Sequence, residues 1–459
     1  MIGTEQPVEP VLMPEVANDG KIVPAHYDSG RKSYWTTNSR GGWIEITEPS
    51  LRKILRSAGF YNKPNKGDYL SQVDQKIKEI FTEQDVDYAG PLAGYNSGLI
   101  RRCGNRLLVT SSPKLIQPQE GEWPVLQTFF ERLLVDGRYD QRPFFFAWLK
   151  IAYDSIRRGI WHPGQVLGLA GVRNSGKSLN QALITEVLGG RSAKPYRYMS
   201  GRTDFNADLF GAEHLMIEDE HSSTDIRARR QFGAQIKQFT VNETQSCHGK
   251  GRQALTLPPL WRVSISVNEE PEAMMVLPPM SDSEHDSVAD KLFLLRAMKA
   301  EMPMPTVTHD QRHAFWKRMM SELPAFIHFL LNWDIPEELR DGRFGIKTWH
   351  HPKLLAALDE LAPETRLLAL ADQVCFGEEG IVDMKLVMRT EWSGTAEQLE
   401  RRLFDSIFAA EARRLLSYPT ACGVYLGRLA GRRQSRVKQL RTATARKWLI
   451  LKQPEGAPT

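Results

Sequence analysis

The chain has 459 residues, 41% of them hydrophobic and 25% charged, a balance that points to folded globular domains, about three of them. The net charge of +5 is too small to name a partner, and the four cysteines (Cys103, Cys247, Cys375, Cys422) are scattered without a C-x-x-C pair, which argues against a thiolate zinc site or a disulfide framework and for a reducing, cytoplasmic setting. No stretch approaches the continuous apolar length of a membrane span, and the acidic, proline-broken start "MIGTEQPVEP" lacks the basic-then-apolar order of a secretory signal.

Residues 1–25 read as a flexible lead. In "YWTTNSRGGWIEITEP" aromatic and β-branched residues flank Gly41-Gly42 and predict a hairpin. "SLRKILRSAGF" predicts a helix with Ser50 as N-cap, Leu51, Ile54 and Leu55 on one face and Gly59 near the end. Residues 67–118 read as short strands and turns, so 26–120 forms a small α+β domain. Asp85 and Asp87 in "DVD" resemble paired metal carboxylates, but no buried strand precedes them and no third ligand can be assigned. A turn or strand edge is the plainer account. Residues 121–160 carry apolar residues at helical spacing and predict two helices whose aromatics are core, a collar ahead of the next domain. Residues 311–345 read as helical. A further section runs from "KTWHHPKLL", over 346–459.

The chemistry sits in 161–345. "QVLGLA" is a buried-strand pattern, "SLNQALITEVLGG" a helix, and between them lies G-x-x-x-x-G-K-S, Gly171 to Ser178. Strand, glycine loop and helix together make a phosphate cradle: backbone N–H groups converge on phosphate oxygens and the helix N-terminus adds positive potential. Gly171, Val172, Arg173, Asn174, Ser175, Gly176, Lys177, Ser178 and Leu179 would line it. Lys177 reaches the β- and γ-phosphates of ATP, and Ser178 holds Mg²⁺. Downstream, "HLMIEDE" is an apolar strand ending in acids. Glu218 and Asp219 are the expected Mg²⁺ and water-orienting carboxylates, with Glu220 a substitute for either. "WRVSISVN" alternates as a strand and ends on Asn268, whose amide would sit between the two earlier strands and touch the γ-phosphate or the attacking water. Between these strands two β-type runs flank "CHGKGR", a glycine-rich tip carrying His248, Lys250 and Arg252, suited to gripping single-strand phosphates.

The set "GVRNSGKS", "HLMIEDE", "CHGKGR" and "ISVNEEP", in that order, resembles superfamily 3 helicases, the compact AAA+ motors of small DNA viruses, phages and plasmids. More narrowly, "RSAKPYRYMSGRTDFNADLFGAEHLMIEDE" and "GRQALTLPPLWRVSISVNEEP" are similar to phage- and plasmid-type primase-helicase proteins. The resemblance covers about residues 125–310 well. It implies a hexameric ring around single-stranded DNA, with ATP between subunits. It also implies an arginine finger from a neighbour. Where many such helicases carry an Arg-Arg pair, this chain reads "SVADKLFLLRA", so Arg296 is a candidate, with Arg229 and Arg230 as others.

Near the C-terminus, Thr395 reads as a helix cap followed by Leu399 and Leu403. "EARRLLSYPTACGVYLGRLAGRRQSRVKQLRTATARKWLILKQP" then reads as a helix, a glycine-rich turn, a basic helix and the apolar strand "KWLIL". This order resembles a winged helix. Arg432, Arg433, Arg436, Lys438 and Arg441 would contact duplex or origin DNA phosphates. The expectation is an α/β chain: an AAA+ P-loop ATPase core, a small N-terminal α+β domain and a C-terminal winged-helix-like domain. It would act as an ATP-dependent DNA helicase of a phage, plasmid or other mobile element, in a bacterial host cytoplasm. The rivals are a DNA-binding P-loop ATPase that loads, regulates or defends without unwinding, and a nucleotide-dependent interaction scaffold.

Overall fold

A computed structural model of the chain describes residues 23–218, 226–251, 253–278, 288–376, 380–382, 385–387, 390–431, 435–441 and 446–452. They divide into two compact units. The first is drawn from Met1–His221, Asp225–Asn268 and Asp290–Trp349, the second from Ser222–Thr224, Glu269–Ala289 and His350–Thr459. No helix of the described residues is long and apolar enough to cross a membrane.

The first unit opens with β1 (Ala25–Asp28), β2 (Ser33–Thr37) and β3 (Trp43–Ile46), the last two forming the expected hairpin. Helix α1 (Glu48–Ser57) begins before Ser50: its N-cap is Thr47, in extended conformation. Pro49 fits the first turn because its missing N–H would be unpaired there anyway, so the helix starts before the expected serine. A second helix, α2 (Gln72–Glu83), stands where strands and turns were expected. The Ser71 hydroxyl accepts the Asp74 N–H to cap it, and its stripe of Val73, Ile77 and Ile80 is buried with Leu51 and Leu55 of α1. Short strands β4 (Asp85–Val86), β5 (Tyr88–Gly90), β6 (Gly98–Arg102) and β7 (Asn105–Val109) follow. The sheets run β3-β2-β1-β4 and β5-β7-β6. Asp85 and Asp87 serve this edge: Asp85 pairs with Arg106 at 3.6 Å and Asp87 accepts the Arg106 N–H at 2.7 Å.

The collar is α3 (Pro124–Leu134), the small ladder β8 (Val135–Asp136) and β9 (Tyr139–Asp140), and α4 (Arg142–Arg158). Its phenylalanines are core, as expected: Phe129, Phe130, Phe145 and Phe146 are buried. Next come β10 (Val166–Gly171), α5 (Lys177–Val187), β11 (Ser192–Ala193), α6 (Tyr196–Met199), β12 (His214–Glu218), α7 (Ile226–Val241), the hairpin strands β13 (Gln245–Cys247) and β14 (Leu255–Leu257), and β15 (Arg262–Asn268). After α8 (Pro271–Met274), which belongs to the second unit, β16 (Leu292–Ala297) and α9 (His309–Asn332) complete the first. Helix α9 stops short of residue 345. Asp334, Pro336 and Gly342 end the helical pattern, and only a single 3₁₀ turn, Glu337–Leu339, follows. Its Glu322 carboxylate accepts the Val125 and Leu126 N–H groups at 2.9 Å each, satisfying the start of α3 from another helix.

Five strands form one parallel sheet in the order β11-β12-β15-β10-β16. Such a sheet is covered on both faces, so its strands read as apolar runs. Close approach of β16 to β10 depends on Gly171, where an added Cβ would lie 2.3 Å from the Ala297 carbonyl oxygen.

A buried ion pair ties the N-terminal segments to this sheet. Glu213, just before β12, is fully buried. Its carboxylate accepts from both the Arg191 Nε, at 2.9 Å, and Arg191 Nη2, and from the Gly94 N–H at 2.8 Å. Arg191 continues to the Ser111 carbonyl and hydroxyl at 3.1 Å.

In the second unit, α10 (Pro352–Glu360), α11 (Pro363–Phe376), the ladder β17 (Gly380–Val382) and β18 (Lys385–Val387), β19 (Glu391–Gly394), α12 (Ala396–Phe404), α13 (Ala409–Leu415), α14 (Ala421–Ala430), β20 (Val437–Arg441) and β21 (Arg446–Leu451) follow in order. Thr395 caps α12 in a reciprocal box with Gln398, as expected. Two readings are corrected. The glycine-rich "CGVYLGRLA" is helix α14, because Cys422, Tyr425, Leu426 and Leu429 form a helical stripe in the core, outweighing a glycine cost of about 1 kcal/mol each. The stretch expected as a basic helix contains strand β20, which pairs antiparallel with "KWLIL" in β21 and buries Val437.

Truncating Arg191 leaves a buried carboxylate without its counter-ion, so Arg191→Ala is expected to cost about 3–5 kcal/mol in urea unfolding followed by tryptophan fluorescence. Glu213→Gln, which keeps the side-chain shape and one accepting oxygen while removing the buried negative charge, should cost less. Equal and small losses in both would remove the pair from the fold's stability.

Candidate nucleotide and nucleic-acid site

Strand β10 delivers the chain into the loop, which turns through two left-handed residues, Asn174 (φ 61°) and Gly176 (φ 97°), before α5 starts at Lys177. Arg173, Asn174 and Ser178 are exposed, Val172 and Leu179 half-buried, and Ser175 buried. Lys177 itself is only 7% exposed. Its ammonium donates to the carbonyls of Gly171 and Val172 at 2.9 Å each and to Asn268 Oδ1 at 3.0 Å. Three donors thus meet three oxygens, the condition for keeping a cation in so enclosed a place.

Asn268 reaches Lys177 because of strand order. Strand β15 lies between β10 and β12, with Asn268 beside Gly171 and Ser266 beside Glu218. The loop, the amide and the half-buried Glu218 therefore share the C-terminal edge of one parallel sheet. Asp219 and Glu220 lie outside the described residues.

Beneath this edge is a polar network that the sequence reading missed. Gln181 Nε2, one turn after Lys177, donates to Ser264 Oγ at 2.7 Å and to the Ile217 carbonyl at 3.3 Å. His214 Nε2 lies 2.8 Å from the same Ser264 hydroxyl, and His214 Nδ1 lies 2.7 Å from Thr185 Oγ1. Helix α5 is thereby joined to both β12 and β15. Complete burial lowers the His214 pKa from 6.5 to about 3, so the ring is neutral. The signal was available: serines at 264 and 266 interrupt an otherwise apolar strand.

Arg296, on β16 beside Ala170, donates to Asp136 Oδ2 at 2.7 Å within the chain. Gln141 holds its backbone on both sides, accepting the N–H at 2.7 Å and donating to the carbonyl at 2.9 Å. Arg229 lies on α7, and the Arg230 side chain is outside the described residues.

The expected hairpin is present, with Ser246 opposite Thr256 and Cys247 opposite Leu255. A second missed residue, Asn206, secures its tip. Its Oδ1 accepts the His248 N–H at 2.7 Å, its N–H donates to the His248 carbonyl at 3.0 Å, and its Nδ2 donates to the Ser246 carbonyl at 2.8 Å. Phe205 packs against the His248 ring at 5.3 Å. Lys250 is exposed beside Gly251 (φ 72°), and Arg252 lies outside the described residues.

Of the C-terminal cations, Lys438 is exposed on β20, and Arg436 is committed to Asp372 at 3.0 and 2.7 Å and to the Leu451 carbonyl at 2.6 Å. The Arg441 side chain, Arg432 and Arg433 lie outside the described residues.

No family model and no curated protein matches the chain. Among solved structures it is similar to the A form of the apo NrS-1 C-terminal region, at a TM-score of 0.51 and 11% identity over 94% of this chain and 97% of that one. The apo structure of NrS-1 residues 305–718 gives 0.51 and 12%, over 94% and 96%. A structure described as SCCmec type IV Cch, an active helicase, gives 0.30 and 13%, over 88% and 72%. The likeness to NrS-1 is one of fold: a mixed α/β chain built on a parallel sheet.

Because His214 titrates near 6.5 when unfolded and near 3 when folded, the unfolded state takes up its proton first. Stability is full above pH 6.5 and is lost as the pH falls towards 3. At pH 5.5 the loss from this group is about 1.4 kcal/mol. The melting temperature of His214→Gln should therefore fall less between pH 7.5 and 5.5 than that of the natural chain. Parallel slopes would show that the ring takes up its proton in the fold over this pH range as it does in the unfolded chain.

Proposed function

We propose that the chain is an ATP-dependent DNA helicase of a phage, plasmid or other mobile element, translocating on single-stranded DNA as a ring, hexameric by the resemblance, in a bacterial host cytoplasm. The observation that carries the reading is the Lys177 ammonium held between the loop carbonyls and the Asn268 amide. A buried cation in such a loop, beside a strand-end amide and one strand from a carboxylate, is the equipment for phosphoryl transfer to water.

In this reading residues 26–120 are an N-terminal α+β domain, 121–160 a collar, 161–345 an AAA+ ATPase domain and 346–459 a winged-helix-like DNA-binding domain. Lys177 exchanges a loop carbonyl for the β- and γ-phosphate oxygens of ATP. Asn268 orients the γ-phosphate or the attacking water. Mg²⁺, when bound, would supply neutralisation of phosphate charge. It fits a donor set of the exposed Ser178 hydroxyl and one or two carboxylates, Glu218 and Asp219, since this ion keeps phosphate and water among its ligands. Arg296, or Arg229 or Arg230 in its place, completes a neighbouring subunit's site. His248, Lys250 and Arg252 follow the DNA backbone in the ring channel. Lys438 and Arg441 on β20, with Arg432, Arg433 and Arg436, form the duplex-facing set. Arg436 then acts partly through its pair with Asp372.

Two measurements on one preparation test this. Lys177→Ala should lower DNA-stimulated ATP hydrolysis by at least 100-fold, and Asn268→Ala by about 10²–10³ through the turnover number, the scale of one lost oxyanion-stabilising donor. Hydrolysis near the natural rate in Lys177→Ala would overturn the site. On a forked duplex, Lys250→Ala should keep basal hydrolysis and lose strand separation. A natural chain that hydrolyses ATP without ever unwinding is the outcome of the loader or regulator reading.

A further inference from the structure

The N-terminal domain carries a site of its own. A cleft of about 1060 Å³ opens between the β1–β3 sheet and helices α1 and α2. Its floor is a row across the sheet: Tyr27 pairs with Tyr34, and Tyr34 with Ile46. The wall is one face of α2, where Asp74, Ile77, Lys78 and Phe81 recur at helical spacing. The rings meet where floor and wall join. Tyr27 lies 5.1 Å from Tyr34 and 4.7 Å from Phe81. Phe81 is nevertheless 50% exposed; the loop before α2 carries the exposed Tyr61 and Tyr69, which do not line the cleft.

The charges sort cleanly. The lining carboxylates are all engaged: Glu48 and Asp74 by Arg52 at 2.9 and 2.7 Å, and Glu45 by Arg31 at 3.0 Å and the Ser33 hydroxyl at 2.6 Å. Lys32 and Lys78 make no ion pair among the described residues, although both line the cleft. Lys32 is held there in a left-handed conformation, φ 56°, which a non-glycine residue adopts at a cost. Two more exposed lysines, Lys63 and Lys66, lie between Tyr61 and Tyr69 in the loop leading to Leu70, which also carries Asp68. Accessible rings beside lysines that make no ion pair among the described residues suit an unpaired nucleic-acid strand, although the three lining cations Lys32, Arg52 and Lys78 only balance the carboxylates Glu45, Glu48 and Asp74: planar bases stack and phosphates pair, with little demand for base identity.

We propose that this cleft is a second binding site for single-stranded nucleic acid, with a base stacked on Phe81 and Tyr27 and the flanking phosphates on Lys32 and Lys78. It does not rest on the nucleotide chemistry of the parallel sheet. A globular partner is disfavoured by the same pattern, since the apolar area is a narrow run of rings rather than a broad patch.

The test is fluorescence anisotropy with labelled oligo-dT and with an abasic strand of equal length, on the full chain without nucleotide. All arms carry Lys250→Ala, so that the hairpin contributes little. Phe81→Ala should weaken oligo-dT binding by roughly 5- to 100-fold, the range for one lost stacked base, and leave abasic binding unchanged. Phe81→Trp should restore it. Lys78→Glu should weaken both strands and flatten the salt dependence. Natural affinity in both Phe81→Ala and Lys78→Glu overturns the proposal, as does an equal loss for dT and abasic strands in Phe81→Ala. A chain without ATPase activity that keeps Phe81-dependent binding supports the cleft and overturns the motor reading alone.

Discussion

A lysine ammonium enclosed at the edge of a parallel sheet is the constraint around which the first unit is organised. Lys177 can be buried there only while three oxygens stay within hydrogen-bonding reach. Two come from the loop, so the left-handed turns at Asn174 and Gly176 are part of the same requirement. The third comes from Asn268, which demands that β15 run directly beside β10 in the observed register. Strand order, loop conformation and side-chain chemistry are thus one problem with one solution. A one-residue slip of β15 would send the Asn268 side chain to the other face of the sheet.

The layer beneath keeps that solution rigid. Gln181, Ser264, His214 and Thr185 connect the middle and last turns of α5 to two strands through short hydrogen bonds in a buried setting. In low dielectric such bonds strengthen, and leaving any partner unpaired is costly. The network therefore favours one relative position of helix and strands. Fully apolar residues would allow sliding at small cost. That position aligns Lys177 with Asn268 and sets Glu218 at a fixed distance along the edge.

What was legible in the sequence follows from how local each signal is. The glycine loop between strand and helix, the three strands around it, the "CHGKGR" hairpin and the Thr395 cap are each encoded within a few residues, and each of these elements lies where the sequence places it. Helix α2 was lost because its stripe holds only Val73, Ile77 and Ile80 among charged neighbours. In the second unit, glycines suggested a turn and cations a helix. The decisive terms were non-local: α14 is held by a buried stripe and β20 by its pairing with β21. The Asn206 clamp and the Glu213–Arg191 pair join residues far apart in the chain, and neither residue type announces such a role. Which carboxylate and which arginine would serve the proposed reaction beside Lys177 is not fixed by pattern at all, since adjacent acids and neighbouring arginines look alike in one dimension.

The fold also separates two kinds of polar chemistry. At the sheet edge, charged groups are enclosed and saturated: Lys177 by oxygens, Arg296 by Asp136. Such groups change partners only when something of comparable charge arrives, which suits a site that must discriminate between bound states. In the N-terminal cleft the arginines are spent on carboxylates, while Lys32 and Lys78 make no ion pair among the described residues and lie near the half-exposed Phe81. Unpaired surface lysines bind polyanions quickly and release them readily, with an affinity set by salt. The buried Glu213–Arg191 pair spans the boundary between these regions, holding Gly94 and Ser111 of the N-terminal segments to the base of β12.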